Sequence, residues 1–434
     1  MRILHIAPHL GGGVGRFLSN IVKADIDNRH EFCLLETPID THLLVGISWH
    51  EFSDIKDCFE RYVAEFDIVQ IEFWNHPLLF KFFMENKLPD CRLIIYAHVS
   101  GIFAPNIIPQ GMFEFADTVV LSTPIAAESY SNHINKGKCR IIHEIGGIKR
   151  TEAVKKIVHT GINVAYIGTV SYTKIHPGFI QSCRMLLKKV PGIRFIVASN
   201  DDNSHLRAEA DELSIGNHID FVYRTDDIEA ILGQADIFGY PLRPDHFGTG
   251  EQSILEAMGA GVTPVVIGNP AEKSLIRDGV TGIIANDIYD YVNAVQYCIA
   301  HPSFTSKIGV QARAFAVENY SVDKTVSLFC DLYRNVIIKP KIIRNFNNYF
   351  SFDSLHPGWY FFNLCIGNHE DMSYYENADN NMVQQYFMGK ILRSPQLMNE
   401  NKGGIRMYHK YFPEDLKLNR FLMHAENYKG ESCK

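Results

Sequence analysis

Along roughly the first three quarters of the chain, short apolar runs alternate with stretches whose apolar positions recur three and four apart. Glycine-rich or polar turns separate the two patterns. Runs of period two, or wholly apolar, predict strands; the longer period predicts helices; strict alternation of the two predicts parallel sheets. Residues 2–8, 31–35, 67–73, 92–97, 119–122 and 140–143 read as the strands of a first α/β half. Residues 163–167, 194–199, 219–223, 235–240 and 263–267 read as those of a second. Beyond Lys339 the alternation stops. The run 338–341 breaks a helix at Pro340, and the remainder is rich in Asn, Tyr, His and Phe, with helical patterns over 380–392 and 413–428. The expected organisation is therefore a first domain over 1–155, a second over 156–338 and a mainly helical extension over 339–434. The polar, lysine-bearing run 149–159 supplies the first connection.

Composition narrows the class. The chain of 434 residues is 46% hydrophobic and 21% charged, as expected of a globular protein of two or three domains. A net charge of −7 gives no bulk attraction to nucleic acid. The nine cysteines are scattered without any C-x-x-C, so reduced thiols in a cytoplasmic protein are the simplest expectation. The apolar start, 1–8, is too short for a signal peptide and reads as the first strand. No apolar run approaches the ~20 residues that span a bilayer, so any work at a membrane is expected from its inner face, peripherally.

Candidate chemistry concentrates in 241–268. A turn holding Gly248, Thr249 and Gly250 runs into a helix beginning near Gln252, Ser253 and Ile254, closed by Gly259 and Gly261. The first turn of such a helix has unpaired backbone N–H groups and partial positive charge, which suits a phosphate. Glu256, one turn in, can accept from a sugar hydroxyl. An ordinary loop–helix–strand unit would show the same pattern. A second glycine loop, Gly11 to Gly15, follows the first strand. It is no dinucleotide fingerprint, because Arg16 takes the third glycine's place, and it lacks the Gly-Lys-Ser/Thr of a Walker loop. His98 and the segment 168–174 each follow a strand, where open α/β sheets carry their functional loops. The run 367–371, with His369, Glu370 and Asp371, has adjacent rather than spaced ligands and reads as a solvated loop.

The run LEAMGAGVTPVV, 255–266, resembles the donor-site segment of family 4 glycosyltransferases of the GT-B class, in which a glutamate opens LEAM-x-x-G-x-P-V-V. The resemblance extends over about 1–336. It implies an α/β GT-B fold: two Rossmann-like domains facing a cleft that closes on binding. That family carries a second glutamate eight positions before the first, where this chain has Gly248; Asp245 and Glu251 are the candidate replacements. In the family an arginine and a lysine hold the donor's phosphates. Lys174 matches the lysine, Thr169 replaces the arginine, and Arg243 or Lys273 could supply a second cation. The 11–16 loop resembles the family's GGV-GR loop, placing Gly12 and Gly13 beside the donor. His98 matches a histidine that contacts donor sugar or acceptor. The segment 221–224, ending at Arg224, falls where relatives hold the nucleotide base.

The resemblance thus implies a retaining, metal-independent hexosyltransferase. A UDP- or GDP-linked sugar would pass to a hydroxyl of a glycan or lipid-linked acceptor, in bacterial surface polysaccharide synthesis. His98, Lys174 and Glu251 are the candidate catalytic residues. Gly12, Gly13, Lys174, Arg224, Asp245, Gly248, Thr249, Gly250, Gln252, Ser253, Ile254 and Glu256 are the candidate donor-binding set. No metal and no cofactor beyond the nucleotide-sugar substrate is expected. Two alternatives remain open: a GT-B-like binding or scaffold protein that has lost turnover, and an epimerase acting on the nucleotide sugar itself. The 339–434 region is expected to cap the second domain, bind acceptor, or hold a partner enzyme or second subunit.

Overall fold

The computed structural model describes residues 1–38, 40–145, 154–223, 227–246, 248, 251–378, 381–393, 395–400 and 403–428. Two wholly parallel sheets account for the described strands. The first contains β1 (Arg2–Ala7), β2 (Arg29–Leu34), β3 (Ser48–Glu51), β4 (Ile68–Phe73), β5 (Leu93–Ala97), β6 (Thr118–Leu121) and β7 (Cys139–Ile141). Their order is β3-β2-β1-β4-β5-β6-β7. The second contains β8 (Ile162–Ile167), β9 (Ile193–Ser199), β10 (Ile219–Tyr223), β11 (Ile237–Tyr240), β12 (Thr263–Ile267) and β13 (Ile283–Ala285), ordered β10-β9-β8-β11-β12-β13. Each sheet grows one way from its first strand and then resumes on that strand's other side. The switch points fall between β1 and β4 and between β8 and β11, and ligands of such sheets bind where the strands end there. The pattern of strands anticipated every one of these except β3 and β13, two edge strands of four and three residues, too short to carry a period.

By its contacts the chain divides into two compact units, residues 1–142 with 326–434, and residues 143–325. These boundaries differ from those expected at 155 and 338. The Val322–Ile337 helix sends Phe329 and Tyr333 into the first unit, against Phe17 and His30. The C-terminal region is helical as expected, with helices Pro357–Ile366, His369–Glu376, Asn381–Ile391, Ile405–Tyr411 and Leu416–Glu426. It is part of the first unit's core rather than an appendage.

The physical reason lies in the Pro77–Glu85 helix, PLLFKFFME, which is apolar on nearly every side. A helix of that kind must be covered on two faces. One face meets the sheet through Val69, Ile71 and Phe73, which share a core with it. The other meets the C-terminal helices: the Phe80 ring stacks on Phe361 at 4.4 Å, and Phe83 lies 5.7 Å from Phe346. Polar contacts fix the same seam. Tyr408 Oη donates to Asn75 Oδ1 at 2.6 Å, and the Ile107 N–H donates to the Cys365 carbonyl at 3.0 Å. The 103–109 loop is therefore largely buried beneath these helices. The run 367–371 is the start of a helix rather than a loop, with the Asn368 side chain capping the Asp371 N–H. None of the described helices is long and apolar enough to cross a membrane.

Candidate functional site

In unit 143–325 the loops leaving β8 and β11 are stitched together. Ile175 and Leu242 form an antiparallel bridge, the His176 N–H donates to the Pro241 carbonyl at 3.0 Å, and the Arg243 N–H donates to the Lys174 carbonyl at 2.9 Å. This brings Lys174, from the first loop, to the residue that starts the Gln252–Gly259 helix. Lys174 Nζ lies 3.2 Å from Glu251 Oε2, and the Glu251 side chain is wholly buried. Tyr240, the last residue of β11, donates its hydroxyl to the same oxygen at 2.7 Å. Gly168, at φ 152°, lets the chain turn beneath Tyr240, since a Cβ there would come within 3.3 Å of the tyrosine oxygen.

Glu251 itself holds a left-handed backbone, φ 35° and ψ 58°, a conformation that costs a non-glycine residue on the order of 1 kcal/mol or more. Its side chain does not cap the helix it precedes. It points instead toward Lys174, Tyr240 and His246, whose Nδ1 is 3.8 Å from Oε1. Burial would raise the Glu251 carboxyl; the Lys174 ammonium, His246 and the Tyr240 hydroxyl outweigh it and hold the group below its ordinary value. Glu251 Oε1 and Glu272 Oε2 are buried without a hydrogen-bond partner among the described residues. His246 Nε2 lies 2.9 Å from Glu272 Oε1. Burial disfavours the charged His246 ring, but the Glu272 and Glu251 carboxylates raise its pKa above the usual value.

Gly248 answers which carboxylate can occupy this place. A Cβ added at 248 would overlap Glu251 Oε1 and sit 3.0 Å from His246 Nδ1. The Glu251 carboxylate thus fills the space into which a side chain at 248 would project. Asp245, the other candidate, is engaged by Arg243, with Nε to Oδ1 at 2.5 Å. Arg243 also donates to the Tyr172 carbonyl at 2.8 Å, so this cation is committed locally, while Lys273 is exposed. Gln252, Ser253 and Glu256 are half-buried on the helix's first turns. Ile254 is buried, and its N–H donates to the Glu251 carbonyl at 2.9 Å, so it does not supply the open N–H group expected of it. Arg224, Thr249 and Gly250 lie outside the described residues.

Sequence reasoning did not single out Tyr240, His246 or Glu272. Each sits in a segment that reads as structural, a strand end, a turn and the Pro270–Leu275 helix.

Two clusters among the described residues have ligand atoms close enough for a metal: His246, Glu251 and Glu272, and His9, Glu36 and His76. In both, a backbone N–H donates to a ring Nδ1, from Gly248 at 3.0 Å and from Leu78 at 3.3 Å. Each neutral ring then carries its proton on Nε2, facing Glu272 or Glu36 as a hydrogen-bond donor. Those histidines are arranged to serve carboxylates.

In the other unit, Gly12 and Gly13 are exposed at the start of the Gly12–Ala24 helix, with Gly12 at φ 59°. His98 follows β5 and is buried, with Nε2 at 2.7 Å from Glu72 Oε2.

Residues 148–315 match the family model described as glycosyl transferases group 1. No curated protein matches the chain in sequence. Among solved structures, the chain is similar to Alr3699/HepE of Anabaena, crystallised with UDP and glucose. The identity is 16% over 77% of this chain and 100% of that one, with a TM-score of 0.65. It is similar to a glycosyltransferase of Rickettsia africae at 14% identity over 78% and 99% of the two chains, TM-score 0.64. It is also similar to sucrose-phosphate synthase of Thermosynechococcus elongatus at 14% identity over 77% and 98%, TM-score 0.61. The fold, two Rossmann-like parallel sheets with a helical C-terminal region, is GT-B.

Proposed function

We propose that the chain is a retaining glycosyltransferase that moves a sugar from a nucleotide-diphosphate donor to a hydroxyl of a glycan or lipid-linked acceptor. The observation that carries this reading is the Lys174–Glu251 pair at the head of the Gln252–Gly259 helix, on the switch point of the second sheet. It lies within the segment matched by glycosyl transferases group 1. The Anabaena neighbour's UDP and glucose support a nucleotide sugar as donor.

In this reaction the bond between the anomeric carbon and the diphosphate oxygen breaks, and its electron pair leaves with the diphosphate. Stabilising that charge is the main task. Lys174 does this in our reading, aided by the first-turn N–H groups of Gln252 and Ser253. Without donor, the Lys174 ammonium is neutralised by Glu251. A bound diphosphate displaces the carboxylate from the ammonium, and Glu251 then accepts hydrogen bonds from sugar hydroxyls in place of the glutamate absent at 248. Glu256 accepts from the ribose, and His98 acts on donor sugar or acceptor. No step is assigned to a metal.

The test is transfer or hydrolysis from a panel of UDP- and GDP-sugars, comparing wild type with Lys174→Ala and Glu256→Ala. Loss of one charged donor contact of this kind is expected to lower kcat/KM by about 10²-fold. Unchanged activity in both variants rejects the assignment, and the anomeric configuration of the product, read by NMR, decides retention. A second reading, a donor-binding protein without turnover, is favoured by Thr169 in place of the second phosphate cation. Calorimetric donor binding with no product over a broad acceptor set would select it.

A further inference from the structure

Four neighbouring strands of the first sheet place ionisable or amide side chains on one face. Pairing of Ile3 with His30, His5 with Gln70 and Glu72 with Tyr96 puts His30, His5, Gln70, Glu72 and, beyond the end of β5, His98 on the same side. This is the face opposite the apolar core, whose contributors Leu4, Ile6, Val69, Ile71 and Phe73 point the other way. The polar side chains form one continuous buried row. His98 Nε2 meets Glu72 Oε2 at 2.7 Å, and His5 Nδ1 meets Glu72 Oε1 at 2.5 Å. His5 Nε2 meets His30 Nδ1 at 2.8 Å, and His30 Nε2 meets Asp25 Oδ2 at 3.1 Å.

We propose that Glu72 is the positioning residue of His98: its carboxylate accepts the hydrogen bond from Nε2–H, fixes the ring as its Nε2–H tautomer, and leaves only Nδ1 to serve any further group. The role of His98 rests on the proposed transferase reading; its tautomer does not. The carboxylate is wholly buried, so it can persist as an anion only while hydrogen-bonded to donors. Gln70 Nε2 donates to Glu72 Oε1 at 2.8 Å and is itself oriented by the Tyr333 hydroxyl, which donates to Gln70 Oε1 at 3.1 Å. His98 is wedged by the Tyr96 ring at 4.3 Å and the Phe17 ring at 6.3 Å, so it cannot turn away.

Proton counting extends the point. The contacts from His5 to Glu72, from His5 to His30 and from His30 to Asp25 each need one hydrogen on a ring nitrogen. Two imidazoles carrying three such hydrogens hold one proton beyond neutrality between them. The groups facing this pair are Asp25, Glu72, Asn28, Gln70, Tyr333 and Cys330, whose Sγ is 3.9 Å from the Asp25 carboxylate. Burial pushes His30 below its ordinary pKa against the pull of Asp25. A cation beside Glu72 is what keeps that carboxylate charged and able to accept from His98.

The experiment is imidazole nitrogen NMR on the full chain labelled at histidine, with His98→Gln to assign the signal. The expected wild-type result is His98 protonated on Nε2 alone at neutral pH. In Glu72→Gln the amide can offer a donor as readily as an acceptor, so the signal is expected to move toward Nδ1–H or a mixture, and Glu72→Asp is expected to restore it in part. His98 protonated on Nδ1 in wild type, or a tautomer unchanged in folded Glu72→Gln, overturns the proposal. If Glu72→Gln does not fold, the wild-type spectrum alone decides. Under the transferase reading, Glu72→Gln lowers kcat about 10²-fold with KM for donor little changed. Absence of any transferase activity would remove that reading and leave the NMR result standing.

Discussion

Glu251 shows how a single residue can satisfy several constraints at a cost to its own backbone. The left-handed φ of 35° turns its carboxylate away from the helix N–H groups it precedes and toward Lys174, Tyr240 and His246. Gly248 makes this possible by presenting no side chain where that carboxylate lies. Gly248→Ala is therefore expected to displace Glu251 rather than unfold the unit. The methyl overlaps a carboxylate oxygen, and the side chain must leave its position between cation and hydroxyl. Donor affinity, measured by calorimetry with UDP- or GDP-sugar, is expected to fall at least about tenfold, or about 1.4 kcal/mol, with the thermal midpoint of unfolding nearly unchanged. Wild-type affinity in the alanine variant would mean that Glu251 has room to coexist with a side chain at 248. In the sequence Glu251 was only one of two carboxylates, with Asp245, that could stand in for the absent glutamate. The choice between them depended on a backbone angle and on Arg243 engaging Asp245, neither of which a residue string records.

Among elements, the Pro77–Glu85 helix governs most of the first unit. Its strands were legible because short runs dominated by apolar residues and closed by turns have few other folded outcomes. The helix itself was legible too, but its second apolar face was a clue to something further along. PLLFKFFM has more apolar surface than one sheet can cover, and the aromatic residues after 346 are what cover it. Phe361 is fully buried against Phe80, Phe346 and Phe350. Phe361→Ala is expected to cost about 3–5 kcal/mol, the range for a phenylalanine removed from a close-packed core. Denaturant unfolding should show this as a lower midpoint. A loss under about 1 kcal/mol would mean that the C-terminal helices are loosely attached to this face. The two edge strands β3 and β13 escaped notice for the opposite reason: Ser48–Glu51 and Ile283–Ala285 are three or four residues long and partly exposed, so neither period nor composition marks them.

At the scale of the whole chain, the first unit gathers three carboxyls held to about 2: Asp25 from an ordinary 3.8, and Glu36 and Glu72 from 4.5. Burial would raise all three. Outweighing it are His30 and Asn28 at Asp25, His76 and Tyr411 at Glu36, and His5 and His98 at Glu72. A carboxyl whose folded pKa is depressed stabilises the fold above its unfolded value, and that contribution is lost as pH falls toward the folded one. The first unit is therefore expected to lose stability steeply between about pH 4.5 and pH 2. Denaturant midpoints followed by Trp74 and Trp359 fluorescence, both in that unit, would measure it. A midpoint unchanged across that range would show that these carboxyls are not paired as described.

The residue string by itself determined the alternation of strand and helix, the parallel sheets and the loops that follow β5, β8 and β11, because hydrophobic period and glycine placement are local properties. It also marked Lys174, Glu251 and His98 as candidates, through the resemblance of the segments around them to family 4 glycosyltransferases. Only the tertiary structure decided that 326–434 completes the first unit, that Glu251 rather than Asp245 meets Lys174, and that His98 stands at the end of a row running through Glu72, His5 and His30 to Asp25. Those outcomes depend on residues up to some three hundred positions apart meeting through burial and hydrogen bonding, and no local pattern carries the sequence separation across which such groups pair.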